Sequence, residues 1–202
     1  MNARSGGKES GRDPSPGGRP AQAGGRPRHG PPATPERLEA SALRYLERYA
    51  ASSSHLRRLL MHKVRRSAEL HGTDAEAGSA FVRALIQRLE RSGILDDRRY
   101  AEGKALSLRR RGGSARSIRA TLKAKGLASA QADRALDAAD EGEVGAEADL
   151  AAARRLARRR SLGPWRLKDR AGHRLKDLAA LGRAGFSYNV ARAVIDGAAE
   201  EE

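Results

Sequence analysis

Glycines that end helices at regular intervals are the feature that most constrains the fold of this chain. A leucine, three other residues, a glycine and an apolar residue occur in that order at residues 122–127 and again at 181–186. Glycine can take the left-handed conformation that closes a helix without the steric cost of a Cβ atom. Gly126, Gly185 and the apolar Phe186 are therefore predicted to mark helix ends and the chain reversals that follow them.

A related joint lies earlier in the chain, in the run GILDDRRYAE at residues 93–102. Gly93 is predicted to end one helix, and Asp96 or Asp97 to begin the next, with Tyr100 on its apolar side. An acidic side chain at a helix start accepts hydrogen bonds from free backbone N–H groups and lies at the positive end of the helix dipole. The acidic pair is therefore interpreted as a helix cap rather than as a pair of catalytic carboxylates.

Capping residues and apolar periodicity predict helix through nearly the whole remainder of the chain. Helix starts are expected at Thr34, the serines 52–54, Thr73, the acidic pair, Ser114 and Ser129. Apolar residues at intervals of three and four follow each start, and one such stripe contains Leu175, Leu178 and Leu181. No segment alternates apolar and polar residues for long, so no sheet is predicted.

The nine expected helices form three groups of three. Leu60, Leu122 and Leu181 take equivalent positions, 62 and 59 residues apart, which is a repeat long enough for three helices. The predicted fold is all-α: three tandem three-helix repeats in an elongated, curved array, over residues 36–94, 95–141 and 146–198. The first repeat has Lys63 and Val64 where the others have a glycine, so its second helix is expected either to run on or to end less sharply.

Residues 1–35 differ in composition from the rest of the chain. They include eight glycines and seven prolines but no Leu, Ile, Val, Phe, Tyr or Trp, so they cannot bury an apolar core. This composition predicts a disordered tail. Six basic and two acidic residues in this segment add positive charge, which could contribute weak affinity for phosphate.

The net charge favours an anionic partner. The 202 residues contain 40 Lys and Arg against 25 Asp and Glu, a formal net charge of +15 at pH 7. Such an excess is typical of proteins that bind nucleic acid or another acidic surface. The chain has no cysteine, which excludes disulfides and thiolate metal sites and fits a reducing cytoplasm. No apolar run has the roughly 20 residues that cross a bilayer, so no membrane association is expected.

The sequence contains none of the common signs of catalysis. It has no phosphate-binding loop, dinucleotide-binding glycine motif or nucleophile elbow. Its five histidines are scattered, without the spacing of a metal site. We therefore predict a protein that is not an enzyme and that holds no cofactor and no metal.

Clusters of arginine and lysine are the positive functional signal. Three consecutive arginines repel one another unless an anion lies close, and few acidic residues stand nearby. The basic residues predicted to contact nucleic acid or a nucleoprotein filament are Arg109, Arg110, Arg111, Arg116, Arg119, Lys123, Lys125, Arg158, Arg159, Arg160 and Lys168. Further basic residues in the same part of the chain are Arg154, Arg155, Arg166, Arg170, Arg174 and Lys176.

Four runs of this sequence resemble the RecX family of recombinase regulators. They are SALRYLERYAASSSHLRRLLMHKV, LERSGILDDRRYAE, RGGSARSIRATLKAKGL and LAALGRAGFSYNVARAVID, and the resemblance extends over residues 36–197. The family motif falls on Gly93, Asp96, Asp97 and Tyr100, and the helix-ending pattern on Gly126, Gly185 and Phe186; all are expected to be architectural. The chain departs from the family at Lys63 and Val64, where a glycine is usual, and in its long first segment.

The resemblance implies a regulator of RecA, which we expect to act in the cytoplasm as a monomer. Such proteins bind along the filament that RecA forms on single-stranded DNA, and they usually restrain homologous recombination, ATP hydrolysis and the co-protease activity of the SOS response. RecA and single-stranded DNA, with double-stranded DNA as a further candidate, are therefore the expected partners of a monomer. The residues alone leave two alternatives open: a helix-turn-helix-like transcription factor on double-stranded DNA, and a basic RNA-binding scaffold.

Overall fold

Helices account for most of the residues that the structure describes. In the computed structural model, the described residues are 30–140 and 145–198. Over these ranges the helices are α1 (Pro35–Arg48), α2 (Ser53–His71), α3 (Ala75–Arg91), α4 (Asp97–Arg110), α5 (Ala115–Ala124), α6 (Ser129–Ala139), α7 (Ala146–Arg159), α8 (Arg170–Arg183) and α9 (Tyr188–Asp196), with a short 3₁₀ turn at Gly163–Trp165. The described part of the chain contains no strand, so the predicted all-α class is confirmed.

Each consecutive trio of helices has its own apolar core. Core 1 lies among α1, α2 and α3 and contains Leu38, Ala42, Leu56, Leu60, Val64, Val82, Leu85, Ile86, Leu89 and Leu95. Core 2 lies among α4, α5 and α6 and contains Ala101, Ala105, Ile118, Leu122, Leu127, Ala132, Ala135 and Leu136. Core 3 lies among α7, α8 and α9 and contains Ala152, Ala153, Leu156, Ala157, Leu162, Leu178, Leu181, Phe186, Ala191, Val194 and Ile195. Leu60, Leu122 and Leu181 are each fully buried in their respective cores, while the repeat boundaries and the elongated, curved form stay predictions.

Two serines join the second helices of successive trios end to end. Ser52 caps α2, and its Oγ also donates a hydrogen bond to the carbonyl oxygen of Lys125 at the end of α5, at 2.6 Å. Ser114 caps α5 in the same way, and its Oγ donates to the carbonyl oxygen of Ala184 at the end of α8, at 2.8 Å. The N-terminus of one helix therefore lies beside the C-terminus of the next, an arrangement in which the helix dipoles attract.

Two aspartates form a second kind of contact, which occurs once at each joint between successive trios. Asp97 Oδ1 accepts a hydrogen bond from the backbone N–H of Ser53 at 2.7 Å, and Asp149 Oδ1 accepts one from that of Ala115 at 2.8 Å. Each carboxylate belongs to the first helix of one trio and lies at the start of the second helix of the preceding trio. Asp96, the other member of the acidic pair, caps α4 by accepting from Arg99 N at 2.9 Å.

The helix-ending glycines are required at these joints. Gly126 and Gly185 have φ angles of 85° and 94°, in the left-handed region predicted for them. A Cβ atom at Gly126 would lie 2.1 Å from Ser54 Oγ, and one at Gly185 would lie 2.6 Å from Ser114 Oγ. Both the backbone conformation and the close approach of the neighbouring helix therefore favour glycine. Gly93 also has a positive φ, of 72°, in the joint before α4.

Three local details refine the sequence-based expectations. The continuation of α2 past Lys63 and Val64 is confirmed, because the helix runs to His71 before Gly72 ends it. Leu175 was expected to face the core but is 76% exposed, and the buried apolar residues that α8 contributes to core 3 begin at Leu178. The predicted tail lies largely outside the described residues, although Ala33, within its expected bounds, packs against core 1 and donates its N–H to Ser67 Oγ at 2.9 Å.

Candidate nucleic-acid interface

Most of the basic residues predicted to bind lie on the surface. Exposed members of the predicted set are Arg110, Arg111, Arg116, Arg119, Lys123, Arg158, Arg159, Arg160 and Lys168. Lys125 is half-buried at the joint between α5 and α2, where its carbonyl oxygen accepts the hydrogen bond from Ser52.

Arg109 does not belong to this surface. It is 3% exposed, and its guanidinium donates to both carboxylate oxygens of Asp140, at 2.6 and 2.8 Å, and to Asp149 Oδ1 at 2.5 Å. A further N–H donates to the carbonyl oxygen of Gly113 at 2.9 Å. Burial by itself would lower the pKa of Arg109, but the hydrogen bonds and charges of the two aspartates more than compensate and raise it. The expected binding role of Arg109 is therefore corrected to a structural one.

Four of the predicted residues meet in one cleft of about 340 Å³ between the end of α4 and the face of α7. The residues that line this cleft, which we call the arginine cleft, are Arg110, Arg111, Arg154, Arg155, Arg158, Arg159 and Trp165. Helical periodicity explains the contribution of α7, because residues four apart lie on the same face. Arg154 and Arg158 are four residues apart, as are Arg155 and Arg159, so each two share a face of α7.

The remaining predicted residues do not line the arginine cleft. Arg116, Lys123 and Lys125 lie on or at the end of α5, while Arg160 and Lys168 follow α7. Arg119, also on α5, already has an acidic partner, since its Nε donates to Asp133 Oδ1 at 2.6 Å. The predicted basic residues therefore form more than one surface feature, and in the arginine cleft side chains from two trios converge.

Several basic residues of the third trio stabilise its fold. Arg170 donates to the carbonyl oxygens of Ile195 and Gly197, at 2.9 and 2.7 Å, at the end of α9. Arg174 forms two hydrogen bonds of 2.7 Å with the carboxylate of Asp196. The hydrogen bonds from Arg174 lower the pKa of Asp196.

Trp165 is the member of the cleft that sequence reasoning missed. It is the single tryptophan of the chain and ends the 3₁₀ turn that follows α7. Its side chain is half-buried, packing partly against core 3 and partly lining the arginine cleft. The available signal was the Gly-Pro-Trp run two residues after the arginine-rich end of a helix.

Asp177 holds the 3₁₀ turn at Gly163–Trp165 in place. The Asp177 carboxylate, 1% exposed, accepts from the backbone N–H of Gly163 at 2.9 Å and from two nitrogens of Arg166 at 3.0 and 2.6 Å. Burial alone would raise the pKa of Asp177, but the bonds from Arg166 and Gly163 outweigh it and hold the pKa below its ordinary value of 3.8. Trp165 lies between these two partners in the sequence, so its backbone is fixed on both sides.

The described residues contain neither a cluster of metal-ligating side chains nor a membrane-spanning helix. Within residues 30–140 and 145–198, no group of three His, Asp or Glu side chains is placed to hold a metal ion. Over the same ranges, none of the helices combines the length and apolar character needed to cross a bilayer.

Comparisons with known proteins identify relatives along most of the chain. No protein-family model matches it. The regulatory protein RecX of Myxococcus xanthus strain DK1622 is 45% identical over 166 residues, which cover 81% of this chain and 86% of that protein. The regulatory protein RecX of Agrobacterium fabrum strain C58 is 31% identical over 166 residues, covering 80% and 83% of the two chains.

A solved structure supports the fold. The crystal structure of a regulatory protein RecX aligns with a TM-score of 0.55 and 23% identity, over 81% of this chain and 74% of the other. This structural likeness shows the fold alone, whereas the sequence identities show descent. The chain therefore belongs to the RecX family of regulatory proteins.

Proposed function

We propose that this protein binds the filament that RecA forms on single-stranded DNA and restrains its recombinase, ATPase and co-protease activities in DNA repair and the SOS response. Membership of the RecX family supports the regulatory part of the proposal. The observation that carries the binding part is the arginine cleft, where exposed guanidinium groups from α4 and α7 converge.

The charge of the cleft suits a polyanion. Among the described residues, Arg110, Arg111, Arg155 and Arg158 are exposed and form no ion pair with a carboxylate. Guanidinium groups match phosphate oxygens through paired hydrogen bonds and remain charged at any physiological pH. A phosphate backbone would therefore relieve the mutual repulsion of these arginines. Acidic side chains of RecA would also reduce this repulsion at the edge of the arginine cleft.

Co-sedimentation with RecA filaments tests the proposal. The protein is centrifuged with RecA assembled on single-stranded DNA, and in parallel with naked single-stranded DNA and with RecA alone. We expect retention in the filament pellet and a fall in ATP hydrolysis while the filaments stay intact. No retention and no change in ATP hydrolysis would overturn the proposal. Footprinting of one duplex sequence, or binding only to structured RNA, would replace it with one of the alternative functions.

A charge-matched pair of variants ties binding to the cleft. The double variant Arg110→Ala/Arg158→Ala removes two cleft cations, whereas Arg65→Ala/Arg66→Ala removes two exposed cations of α2. We expect the first variant to bind filaments more weakly and with a flatter salt dependence. The slope of log affinity against log salt should fall by about 1.4 if both cations contact single-stranded phosphates. Equal losses in the two variants would show that net charge, not the cleft, governs binding.

A further inference from the structure

The arginine cleft combines two kinds of group, guanidinium and indole. Its lining includes arginines of α4 and α7 together with Trp165. Aromatic residues make up only 3% of the chain, so an indole at this position is not a consequence of a generally aromatic composition. Its volume of about 340 Å³ lies at the lower end of the range for small-ligand sites.

The arginines of the cleft differ in how far the fold already uses them. Arg159 donates one hydrogen bond to the carbonyl oxygen of Arg111 at 2.8 Å, which links α7 to the end of α4 and fixes one side of the cleft. Arg110, Arg155 and Arg158 are exposed, and the described residues include no carboxylate within ion-pair distance of them. The cleft therefore has both a fixed wall and donors that remain available to an anion.

The backbone on both sides of Trp165 is held in place beside these donors. The backbone of its turn is held by the buried Asp177, which binds the N–H of Gly163 and the guanidinium of Arg166. A Cβ atom at Gly163 would lie 2.9 Å from the Cα of Ile195, so the turn is also packed closely against α9. An indole whose backbone is fixed loses little conformational entropy when a flat group stacks on it.

These features point to a ligand with phosphates and a flat ring. Inorganic phosphate would use the arginines but not the indole, whereas duplex DNA keeps its bases stacked inside the helix. An unpaired nucleotide offers both groups at once: phosphate oxygens for guanidinium and a base for the aromatic ring. Stacking on an indole does not depend on the identity of the base, because every base has a π-face.

We propose that the arginine cleft takes an unpaired nucleotide of single-stranded DNA, with its phosphates on the arginines and its base stacked on Trp165. The inference rests on the proposed function in one respect, since the strand would be the one within the RecA filament. A free nucleoside triphosphate has the same chemistry, and the experiment distinguishes the two sources.

Intrinsic fluorescence tests this assignment without any label, because Trp165 is the single tryptophan of the chain. Oligothymidine, an abasic oligonucleotide of the same length and charge, thymidine triphosphate and inorganic polyphosphate are each titrated into the full-length protein. Oligothymidine should quench the emission and bind at least about fivefold more tightly than the abasic strand, the lower limit of base–aromatic stacking. Equal affinity and equal quenching by the two strands would overturn the stacking assignment. Tighter binding of thymidine triphosphate than of oligothymidine would overturn the strand assignment.

Two substitutions of Trp165 give an independent measurement. Trp165→Phe retains an aromatic ring, whereas Trp165→Leu retains apolar bulk for core 3 without one. With labelled oligothymidine and fluorescence anisotropy, we expect the Phe variant to bind within about threefold of wild type and the Leu variant at least about fivefold more weakly. Undiminished affinity of a folded Leu variant would contradict the proposal. If the Leu variant does not fold, the stacking assignment is tested by the wild-type protein alone, from its affinities for oligothymidine and for the abasic strand.

The outcomes also separate this inference from the proposed function. Retention of the wild-type protein on RecA filaments, combined with no preference for oligothymidine over the abasic strand, would overturn the inference and leave the proposed function standing. A clear preference for oligothymidine without retention on filaments would overturn the proposed function and leave the assignment of the cleft to a single-stranded nucleotide standing.

Discussion

At the scale of single residues, neighbouring arginines have opposite roles. Arg109, Arg110 and Arg111 are consecutive in the sequence, yet Arg109 is buried in contact with two aspartates while the other two are exposed in the cleft. A helix turns by about 100° per residue, so adjacent side chains face different surroundings. A run of like charges therefore identifies a basic segment but does not reveal which of its members are free to bind.

The first prediction concerns Arg109. Arg109→Ala should lower the free energy of unfolding by about 3 kcal/mol or more, because it leaves Asp140 and Asp149 as largely buried carboxylates without their cation. Arg110→Ala, at the exposed neighbouring position, should change it by no more than about 0.5 kcal/mol. Urea unfolding followed by circular dichroism gives both values, and similar losses for the two variants would contradict the structural role of Arg109.

The second prediction compares two glycines. Gly126→Ala should destabilise the protein by at least about 1 kcal/mol, because φ is 85° there and a Cβ atom would approach Ser54. Gly103→Ala should stabilise it by about 0.5–1 kcal/mol, because Gly103 lies inside α4 with open space around it. Thermal unfolding of both variants tests the opposite signs, and a neutral Gly126→Ala would refute the packing at that joint.

At the scale of helices, several neighbouring residues compete to cap a helix start. Thr73 was expected to cap α3, but its hydroxyl bonds to Ser67 Oγ at 2.9 Å, and Asp74 accepts from the N–H groups of Glu76 and Ala77 instead. Ser129 was likewise expected to cap α6 but is its first helical residue. In each case the helix starts within one residue of the expected position, because several neighbouring residues can satisfy the same free N–H groups.

The third prediction tests the joints between helices. Ser114→Ala should cost about 1–2 kcal/mol more than Ser187→Ala. Both serines cap a helix, but only the Ser114 hydroxyl is seen to donate to another helix, at the carbonyl oxygen of Ala184. Replacing Ser114 thus removes a cap and leaves a carbonyl at the joint without its donor. Equal costs in urea unfolding would show that the joint contributes nothing beyond the cap.

At the scale of the whole molecule, the balance of charge governs both stability and binding. Like charges within the net charge of +15 repel one another, and in the described residues arginine–carboxylate pairs offset part of this repulsion. Protonation of these carboxylates removes the pairs and increases the net positive charge at the same time. The same excess charge favours association with a polyanion, so partner binding should oppose acid unfolding.

The fourth prediction follows from the pKa of Asp177. A carboxyl group whose pKa is lower in the folded than in the unfolded state adds stability above its unfolded pKa, and this contribution is lost as the pH falls through the folded pKa. Because the pKa of Asp177 is lowered, stability should decline as the pH falls below about 5. Asp177→Asn should cost about 2 kcal/mol at pH 7 and distinctly less at pH 2, as measured by urea unfolding at each pH. A cost independent of pH would contradict this linkage.

The sequence by itself determined the helices, their ends and the family. Caps, glycine stops and apolar periodicity act within about four residues, so they can be recognised without knowledge of the fold. Gly126 and Gly185 have the positive φ angles that their positions predict, and α2 continues past Val64 as the missing glycine indicates.

Only the tertiary structure decided which charges are free and which residues meet. Ser114 and Ala184 are 70 residues apart, Arg109 and Asp149 are 40 apart, and no local pattern marks either contact. The arginine cleft likewise depends on the packing of α7 and its 3₁₀ turn beside the end of α4, which brings Trp165 to the arginines. Contacts between distant residues depend on how whole helices pack, and a residue type or spacing along the chain does not contain that information.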